Sequence, residues 1–241
     1  MLLFVLRDLD GGCNKLDNEK LDVNTTIAIL ERIKDIIEAN KDYLTELDSA
    51  IGDADHGINM NRGFSKAIEK VRNNQYFDIG SIFKDVAMSL MSTVGGAAGP
   101  LYGTFFMRAS MKLAGHKEAD LTLLAQAFRE GLNGVIALGK AQPGDKTMVD
   151  ALIPAIDALE TAAKEGSSLK DGLAKALAMA EKGMKDTIPL VAKKGRASYL
   201  GERSAGHQDP GATSSYLILK AFYEALENLG HDWNSCSMSQ R

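Results

Sequence analysis

Three aspartates lie in one short stretch of the sequence, at Asp48, Asp53 and Asp55. Gly52 and Gly57 lie among them and permit a tight turn that brings the three carboxylates together. Clustered carboxylates repel one another, and each is driven toward its neutral form unless a cation lies among them. Mg²⁺ is the favoured ion, because it binds through a few carboxylates and completes its coordination with water and substrate phosphates. The stretch therefore predicts a magnesium site.

Two alternative structures for this stretch make different demands. An EF-hand loop counted from Asp53 needs glycine at its sixth position and glutamate at its twelfth, where the sequence has Ile58 and Phe64. This mismatch excludes the EF-hand. In the other alternative, Asp55 caps a helix that begins near Ile58, with Asp53 solvated beside it. Capping accounts for one aspartate and leaves the others unexplained, so the metal site remains the preferred interpretation.

The composition excludes several classes of protein. The chain has 241 residues, of which 45% are hydrophobic, and no stretch resembles a linker, so we expect one domain. Its expected bounds are 23–230, with an irregular N-terminal extension over 1–22 and a C-terminal tail over 231–241. A formal net charge of -4, without a run of Lys or Arg, argues against nucleic acid or an anionic membrane as partner. No uncharged run reaches the ~18 residues of a membrane span.

Two further features predict a cytoplasmic location. The cysteines, Cys13 and Cys236, lie one in each expected tail without metal-ligand spacing, which is typical of a reducing compartment. The apolar start at Met1–Leu6 lacks a basic lead and is followed at once by Arg7 and Asp8, unlike a signal peptide.

Apolar residues recur at helical spacing along most of the chain, and no alternating run of β-branched residues predicts a sheet. The pattern predicts an all-α protein of eight helices. The first helix is expected over 25–47, with a cap at Asn24 or Thr25, and the second from the aspartate stretch to 73–74. The third is expected over 79–91, the fourth from Pro100 to 113 and the fifth over 121–136. The sixth begins near Met148 with a kink at Pro154, the seventh covers 169–188 and the eighth covers 211–229. Short connections imply antiparallel neighbours, so alternate loops lie at the same end of the assembly.

The loops at one end are rich in aspartate, glycine and arginine, whereas those at the other end are chemically bland. The rich loops are the aspartate stretch, Gly95–Gly103, Gly139–Met148 and Lys193–Gly211. Four helix N-termini lie at that same end, and their free N–H groups favour bound anions. Acidic metal ligands beside glycine-rich helix starts predict a metal-bridged phosphate site.

Each of these loops has a second interpretation. The glycines around Gly95–Gly96 suit a phosphate-binding nest, or simply a helix C-cap that turns into Pro100. The loop 193–211 is long enough to be a lid, in which Arg196 or Arg203 supplies positive charge to a transferring phosphoryl group, or is merely solvated. No Walker A motif is present, so a nucleotide must be held in another way.

Two smaller motifs belong to the same end of the assembly. Asp209 followed by Pro210 is typical of a helix start, with aspartate at the N-cap and proline at the first position. His56 either contacts phosphate or only turns its loop.

These four motifs resemble those of the nucleotide-binding L subunits of dihydroxyacetone kinase. The motifs are, in order, 47–57, 95–103, 143–148 and 195–211, and the resemblance covers about residues 24 to 229. It implies an eight-helix antiparallel up-down barrel that holds ADP or ATP at one end with two Mg²⁺. Matched motif by motif, Asp48, Asp53 and Asp55 are the implied metal ligands. Arg196 is the candidate catalytic residue. The implied nucleotide contacts are His56, Gly57, Ile58, Asn59, Ala97, Ala98, Gly139, Met148, Arg196, Asp209, Pro210 and Gly211.

The sequence departs from the family pattern at two places. Ala54 stands where the family often has glycine, and we expect it to be tolerated if φ stays negative there. Ala97 and Ala98 stand where relatives often carry hydroxyl residues, so we expect phosphate contacts there from backbone N–H groups alone.

The resemblance also implies a function. With no room for a dihydroxyacetone-binding domain, the chain resembles the phosphotransferase-system type, in which bound ADP is a cofactor rephosphorylated by a phosphohistidine on an M subunit. The ATP formed then phosphorylates dihydroxyacetone held on a K subunit. A homodimer is a further possible assembly. One alternative is an L-like kinase module that uses free ATP for another partner-bound acceptor, such as a fatty acid. The other is a nucleotide-sensing adaptor for a transcription regulator. Intact metal aspartates and Arg196 favour catalysis.

Overall fold

The computed structural model describes residues 20–238, with side chains through residue 227. Cys13, Cys236 and Leu229 therefore lie outside the described side chains. Within this range the α-helices are α1 (Val23–Ala39), α2 (Lys41–Ile51), α3 (His56–Arg72), α4 (Ile79–Thr93), α5 (Ala98–Leu113), α6 (Leu121–Gly139), α7 (Met148–Lys164), α8 (Leu169–Asp186) and α9 (Pro210–Met238). A 3-10 segment covers Arg196–Ser204, and the strands β1 (Leu21–Asp22) and β2 (Glu118–Ala119) form one short antiparallel pair. The predicted all-α class is confirmed.

The helices form a closed ring. Consecutive helices from α3 to α9 pack against each other, and α1 packs against both α3 and α9. This is the expected antiparallel barrel, with α1 and α2 together in the place of the first predicted helix. Within residues 20–238, no helix is both long enough and apolar enough to cross a membrane.

Aromatic side chains fill the interior of the ring. Phe106 meets Phe83 edge to face at a centroid distance of 5.4 Å, and Phe128 meets Phe222 at 5.2 Å. Phe105 links the two groups through contacts with Phe106 and Phe128. Such pairs add about 0.5–1.5 kcal/mol each beyond their burial. The core thereby holds the helix ends, and the loops between them, in fixed relative positions.

The first predicted helix is two helices, α1 and α2, and the predicted position of its N-cap was wrong. At Asn40 the backbone leaves helical geometry, and the Asn40 side chain donates to the carbonyl of Ile36 at 2.8 Å. Asp22, rather than Asn24 or Thr25, caps α1 by accepting from the Thr25 N–H at 2.7 Å. Leu21 is only 1% exposed, so the core begins inside the segment expected to be an irregular extension.

Two prolines are accommodated in different ways. Helix α5 begins at Ala98, so Pro100 lies in its first turn, where a missing N–H costs little. Pro154 lies inside α7, which continues through it. A Cβ on Gly183 would lie 2.2 Å from the Asp150 carbonyl that Pro154 leaves without its helical donor, so glycine lets α8 approach closely here. Helix α9 continues to Met238, beyond its predicted end at 229.

Candidate functional site

A pocket of about 300 Å³ opens where the four chemically rich loops meet at one end of the ring. This volume lies within the range of small-ligand sites. Its lining includes the predicted residues Asp48, Asp53, Asp55, His56, Asn59, Ala97, Ala98, Gly139, Met148, Arg196, Asp209, Pro210 and Gly211. The antiparallel order of the helices thus brings together residues that are far apart in sequence.

Gly57 and Ile58, predicted as nucleotide contacts, do not line this pocket. A Cβ on Gly57 would lie 2.0 Å from the carbonyl oxygen of Lys41, so this glycine serves the close approach of α3 to α2. The Ile58 side chain is 51% exposed on the outside of α3. Successive helical residues point in different directions, so the run 56–59 does not face one ligand with every side chain.

The three aspartates form a compact group of oxygen donors. One carboxylate oxygen from each of Asp48, Asp53 and Asp55 lies within 4.8 Å of the others. Asp48 is buried, and its Oδ2 accepts from the backbone N–H groups of Asp55 at 2.9 Å and His56 at 3.1 Å. These bonds fold the loop back onto the end of α2. Within the described residues Oδ1 of Asp48 has no protein donor, which leaves it available to a cation.

Ala54 adopts a backbone conformation that its residue type disfavours. Its φ is +60°, in the left-handed region, so the condition under which alanine was expected to be tolerated here, a negative φ, is not met. Ala54 lies between Asp53 and Asp55, whose carboxylates both approach that of Asp48. A left-handed L-residue costs roughly 1–2 kcal/mol, and glycine avoids this cost.

We expect Ala54→Gly to raise the free energy of unfolding by about 0.5–1 kcal/mol. The relief of left-handed strain is partly offset by the greater freedom of glycine in the unfolded chain. Urea denaturation of the two proteins in metal-free buffer measures the difference. The matched control is Ala50→Gly in α2, where glycine should destabilise. A loss of stability in Ala54→Gly would contradict the strain argument.

The four helix starts at the pocket differ in how their N–H groups are used. Thr147 and Asp150 form a capping box on α7, and Asp209 caps α9 by accepting from the Ala212 N–H at 2.7 Å. Asp48 accepts from the N–H of His56, the first residue of α3, and from that of Asp55 just before it. Only α5, which follows Ala97, lacks a side-chain acceptor among these four. Among the four helix starts, that of α5 is therefore the one whose first N–H groups meet no side-chain acceptor, which suits an anion bound by backbone groups.

His56 connects α3 to α9. Its Nε2 lies 2.8 Å from the Ser214 hydroxyl, which also bonds to the Tyr102 hydroxyl at 2.7 Å. Burial lowers the pKa of His56, and the neighbouring carboxylates of Asp48 and Asp55 oppose this shift. The histidine is thus part of the polar floor of the pocket.

Arg196 lies at the start of the 3-10 segment, with its guanidinium 3.0 Å from the Asp53 carboxylate. Its side chain is 67% exposed, whereas that of Asp53 is 32% exposed. This pair is weak in solvent, so the guanidinium is able to turn toward an anion in the pocket. Arg203, the other candidate, is exposed and does not line the pocket.

Lys146 is a pocket residue that sequence reasoning missed. Its side chain is 1% exposed, and burial lowers its pKa. Nζ donates to the carbonyl oxygens of Thr187 at 2.8 Å and Ile188 at 3.4 Å, and also to that of His207. The sequence shows only a lysine in a Gly-Asp-Lys-Thr turn, and nothing local indicates that it is buried.

Asp209 lies in the same buried region. Burial raises the pKa of Asp209 to about 7, with a further rise from Asp150, while the Ala212 N–H and the Lys146 ammonium oppose it. In the unfolded chain an aspartate has a pKa of about 3.9. Between these values the folded protein binds more protons than the unfolded one.

The free energy of unfolding should therefore fall as the pH rises from about 4 to about 7, with a slope of at most ~1.4 kcal/mol per pH unit from this group. Asp209→Asn keeps a good N-cap and removes the titration, so its stability should lack this component. Denaturation of both proteins across this pH range, without metal or nucleotide, measures the difference. Equal pH dependence in the two would contradict a raised pKa at Asp209.

A closed ring of helices with an acidic pocket at one end describes a structural class of protein. Comparison of the sequence with known domain families shows which family it is. The sequence profile of the DAK2 domain matches residues 50–224. The chain belongs to the DAK2 domain family.

Individual relatives show which members of the DAK2 domain family the chain is similar to. The chain is 50% identical over 191 residues to the PEP-dependent dihydroxyacetone kinase ADP-binding subunit DhaL of Escherichia coli (strain K12), covering 79% of this chain and 91% of the relative. It is 44% identical over 207 residues to the PTS-dependent dihydroxyacetone kinase ADP-binding subunit DhaL of Lactococcus lactis subsp. lactis (strain IL1403), covering 86% and 99%. Relatives at this level are kinase subunits, so the chain is a subunit of an enzyme of the phosphotransferase class.

Solved structures confirm the fold. The dihydroxyacetone kinase of C. freundii in complex with AMP-PNP and Mg²⁺ superposes with a TM-score of 0.66 at 24% identity, over 93% of this chain. The native form of the same kinase gives a TM-score of 0.65. This chain spans 38% of the length of that kinase.

Proposed function

We propose that this chain is the nucleotide-binding L subunit of a dihydroxyacetone kinase, with ADP or ATP and two Mg²⁺ in the pocket. One observation carries the proposal: three carboxylates within 4.8 Å of one another share a pocket with the uncapped start of α5. Oxygen donors at that separation suit hard divalent cations, and a helix start without a side-chain acceptor suits a phosphate. The names of the DhaL relatives support the choice of nucleotide.

The residues of the pocket divide by chemistry. Asp48, Asp53 and Asp55 would hold the metal ions, which when bound neutralise phosphate charge. The backbone N–H groups of Ala98 and Gly99 would bind phosphate oxygens. The apolar part of the lining would accept the base and ribose; it consists of Leu101, Val135, Met148 and Val149. The assignment to this site of the predicted residues that line the pocket, including Arg196, is part of the proposal.

We further propose that the nucleotide is a resident cofactor. A phosphohistidine on an M subunit would transfer its phosphoryl group to bound ADP, and the ATP formed would give its γ-phosphoryl to dihydroxyacetone on a K subunit, yielding dihydroxyacetone phosphate and ADP. The PEP-dependent and PTS-dependent relatives support this scheme. His56 already bonds to Ser214, so we assign the base for the substrate hydroxyl to the K subunit.

The location and assembly follow from the same scheme. We place the subunit in the cytoplasm, where a phosphohistidine donor and the K subunit would both be accessible. Nucleic acid and membranes are not proposed as partners, because the net charge is -4 without a basic run. A homodimer remains an assembly to test by light scattering.

A coupled assay with each partner omitted in turn tests the cofactor role. We expect the purified protein to keep ADP through gel filtration in Mg²⁺ and to lose it in EDTA. Dihydroxyacetone should be phosphorylated only when both a phosphohistidine donor and a dihydroxyacetone-binding subunit are present. Multiple turnovers with free ATP and the K subunit alone would move the chain to the ATP-dependent class. Retention of nucleotide without transfer to any acceptor would favour the adaptor alternative.

A further inference from the structure

The Lys146 ammonium joins three backbone segments below the pocket. Its three N–H groups match three carbonyl acceptors, on Thr187, Ile188 and His207. Two of these acceptors lie just after the C-terminus of α8, where a cation also interacts favourably with the helix dipole. The third lies just before α9. Lys146 is itself one residue before the Thr147 cap of α7.

The chain between these acceptors, residues 189–206, includes most of the loop 193–211 that was predicted as a lid, and it carries Arg196. We refer to residues 189–206 as the lid. The two ends of the lid lie side by side, because residues 187–188 bond to residues 206–209. We call this region, 187–188 with 206–209, the neck. Besides the lysine, the Gly206 N–H donates to the Ile188 carbonyl at 2.8 Å, and the Asp209 N–H donates to the Thr187 hydroxyl at 3.0 Å. The outer part of the lid is solvated, with the Tyr199 side chain 88% exposed. Away from its two ends, the lid meets the body through the Lys193 N–H, which donates to the Asp145 carbonyl at 3.1 Å, and through the solvated Arg196–Asp53 pair. The buried bonds at its two ends are those that involve Lys146 and the neighbouring groups on Thr187, Ile188 and Gly206.

We propose that Lys146 is a positioning residue that holds both ends of the lid together and thereby slows release of the nucleotide. The first half of this proposal, that Lys146 holds the ends of the lid together, does not depend on the proposed function. The second half, that Lys146 slows release of the nucleotide, rests on it. Without the ammonium, buried carbonyl groups at the neck lose their donor, which makes opening of the lid less costly. Arg196, which the lid carries, would then spend more time away from Asp53 and the pocket.

Tryptic cleavage of the nucleotide-free protein tests the first half of the proposal. The lid contains the sites Lys193, Lys194, Arg196 and Arg203. Lys146→Met keeps the apolar stem and removes the donors, and it should speed cleavage between 193 and 203 on the order of tenfold, the scale of lost bonds to a charged group. The matched control is Lys140→Met, at an exposed lysine six residues earlier that also has a positive φ and whose side chain forms no hydrogen bond or ion pair within residues 20–227. Its cleavage rate should equal that of the parent protein.

ADP release tests the second half. Release of ADP from the Mg²⁺-loaded protein should also be on the order of tenfold faster in Lys146→Met and unchanged in Lys140→Met. Lys146→Gln, which retains an amide donor, should show a smaller increase in both rates. If circular dichroism shows that Lys146→Met has lost helix, Lys146→Gln is used in its place for both measurements.

Several results would overturn the proposal. Lid cleavage at the parental rate would show that Lys146 does not hold the neck. Faster cleavage spread evenly over the chain would show general destabilisation instead. Faster lid cleavage with unchanged ADP release would show that the lid does not control the nucleotide. If the parent protein binds no ADP at all, the proposed function fails, while the cleavage result still decides the role of the lysine at the neck.

Discussion

Asp53→Asn should abolish phosphoryl transfer and weaken Mg²⁺-nucleotide binding roughly 100-fold or more, while the fold is retained. The expected loss exceeds the 10–100-fold cost of removing even an outer partner of a metal ligand, because a direct ligand of the metal ions and its negative charge are removed. The loss of the ion pair with Arg196 should alter stability by less than about 1 kcal/mol, since the pair is largely solvated. Isothermal titration and circular dichroism measure the two quantities.

The conditions of this experiment separate metal binding from folding. In EDTA, Asp53→Asn should be as stable as the parent or slightly more stable, because one of three repelling carboxylates is gone. Asp42→Asn is the matched control: Asp42 lies in the first turn of α2 and outside the pocket lining, its side chain is 94% exposed, and the variant should leave binding and transfer unchanged. Parental nucleotide affinity in Asp53→Asn would refute the assignment of the metal cluster.

Arg196→Ala should lower the rate of phosphoryl transfer by a factor of about 30 to 1,000 and have little effect on stability. If the guanidinium moves from Asp53 to the transferring group, its loss removes one preorganised charge, which costs on the order of 2–4 kcal/mol in the barrier. The 3.0 Å contact with Asp53 keeps the side chain at the pocket before ligands arrive. Single-turnover transfer from the phosphohistidine donor to bound ADP measures the step without product release.

Arg203→Ala provides the comparison, because Arg203 lies in the same 3-10 segment but outside the pocket lining. It should transfer at the parental rate. Arg196→Lys should recover only part of the rate, since an ammonium keeps the charge and lacks the planar fork. An unaffected Arg196→Ala would identify this residue as an ordinary exposed arginine and would make Arg203 the next candidate.

Local sequence determined the helices and the order of the loops. The apolar spacing of α4 and α6 reflects one buried face each, and the structure has both helices close to their predicted bounds. Short connections then force alternate loops to one end, which is why Asp53, Ala97 and Arg196 line one pocket. The helix start at Asp209-Pro210 could also be predicted from the sequence, because capping depends on residues only a few positions apart.

Only the tertiary structure decided features that depend on distant partners. The positive φ of Ala54 follows from Asp48 drawing the loop onto α2, and no residue beside Ala54 indicates it. Side chains accept from N–H groups at the starts of α3, α7 and α9 and not at the start of α5, a difference that depends on which side chains reach each N–H group. Lys146 is buried because the ends of α8 and the lid converge on it, and these are 41 to 61 residues away in sequence. Periodicity records which face of a helix is buried, but it carries no information about which loop another loop will meet.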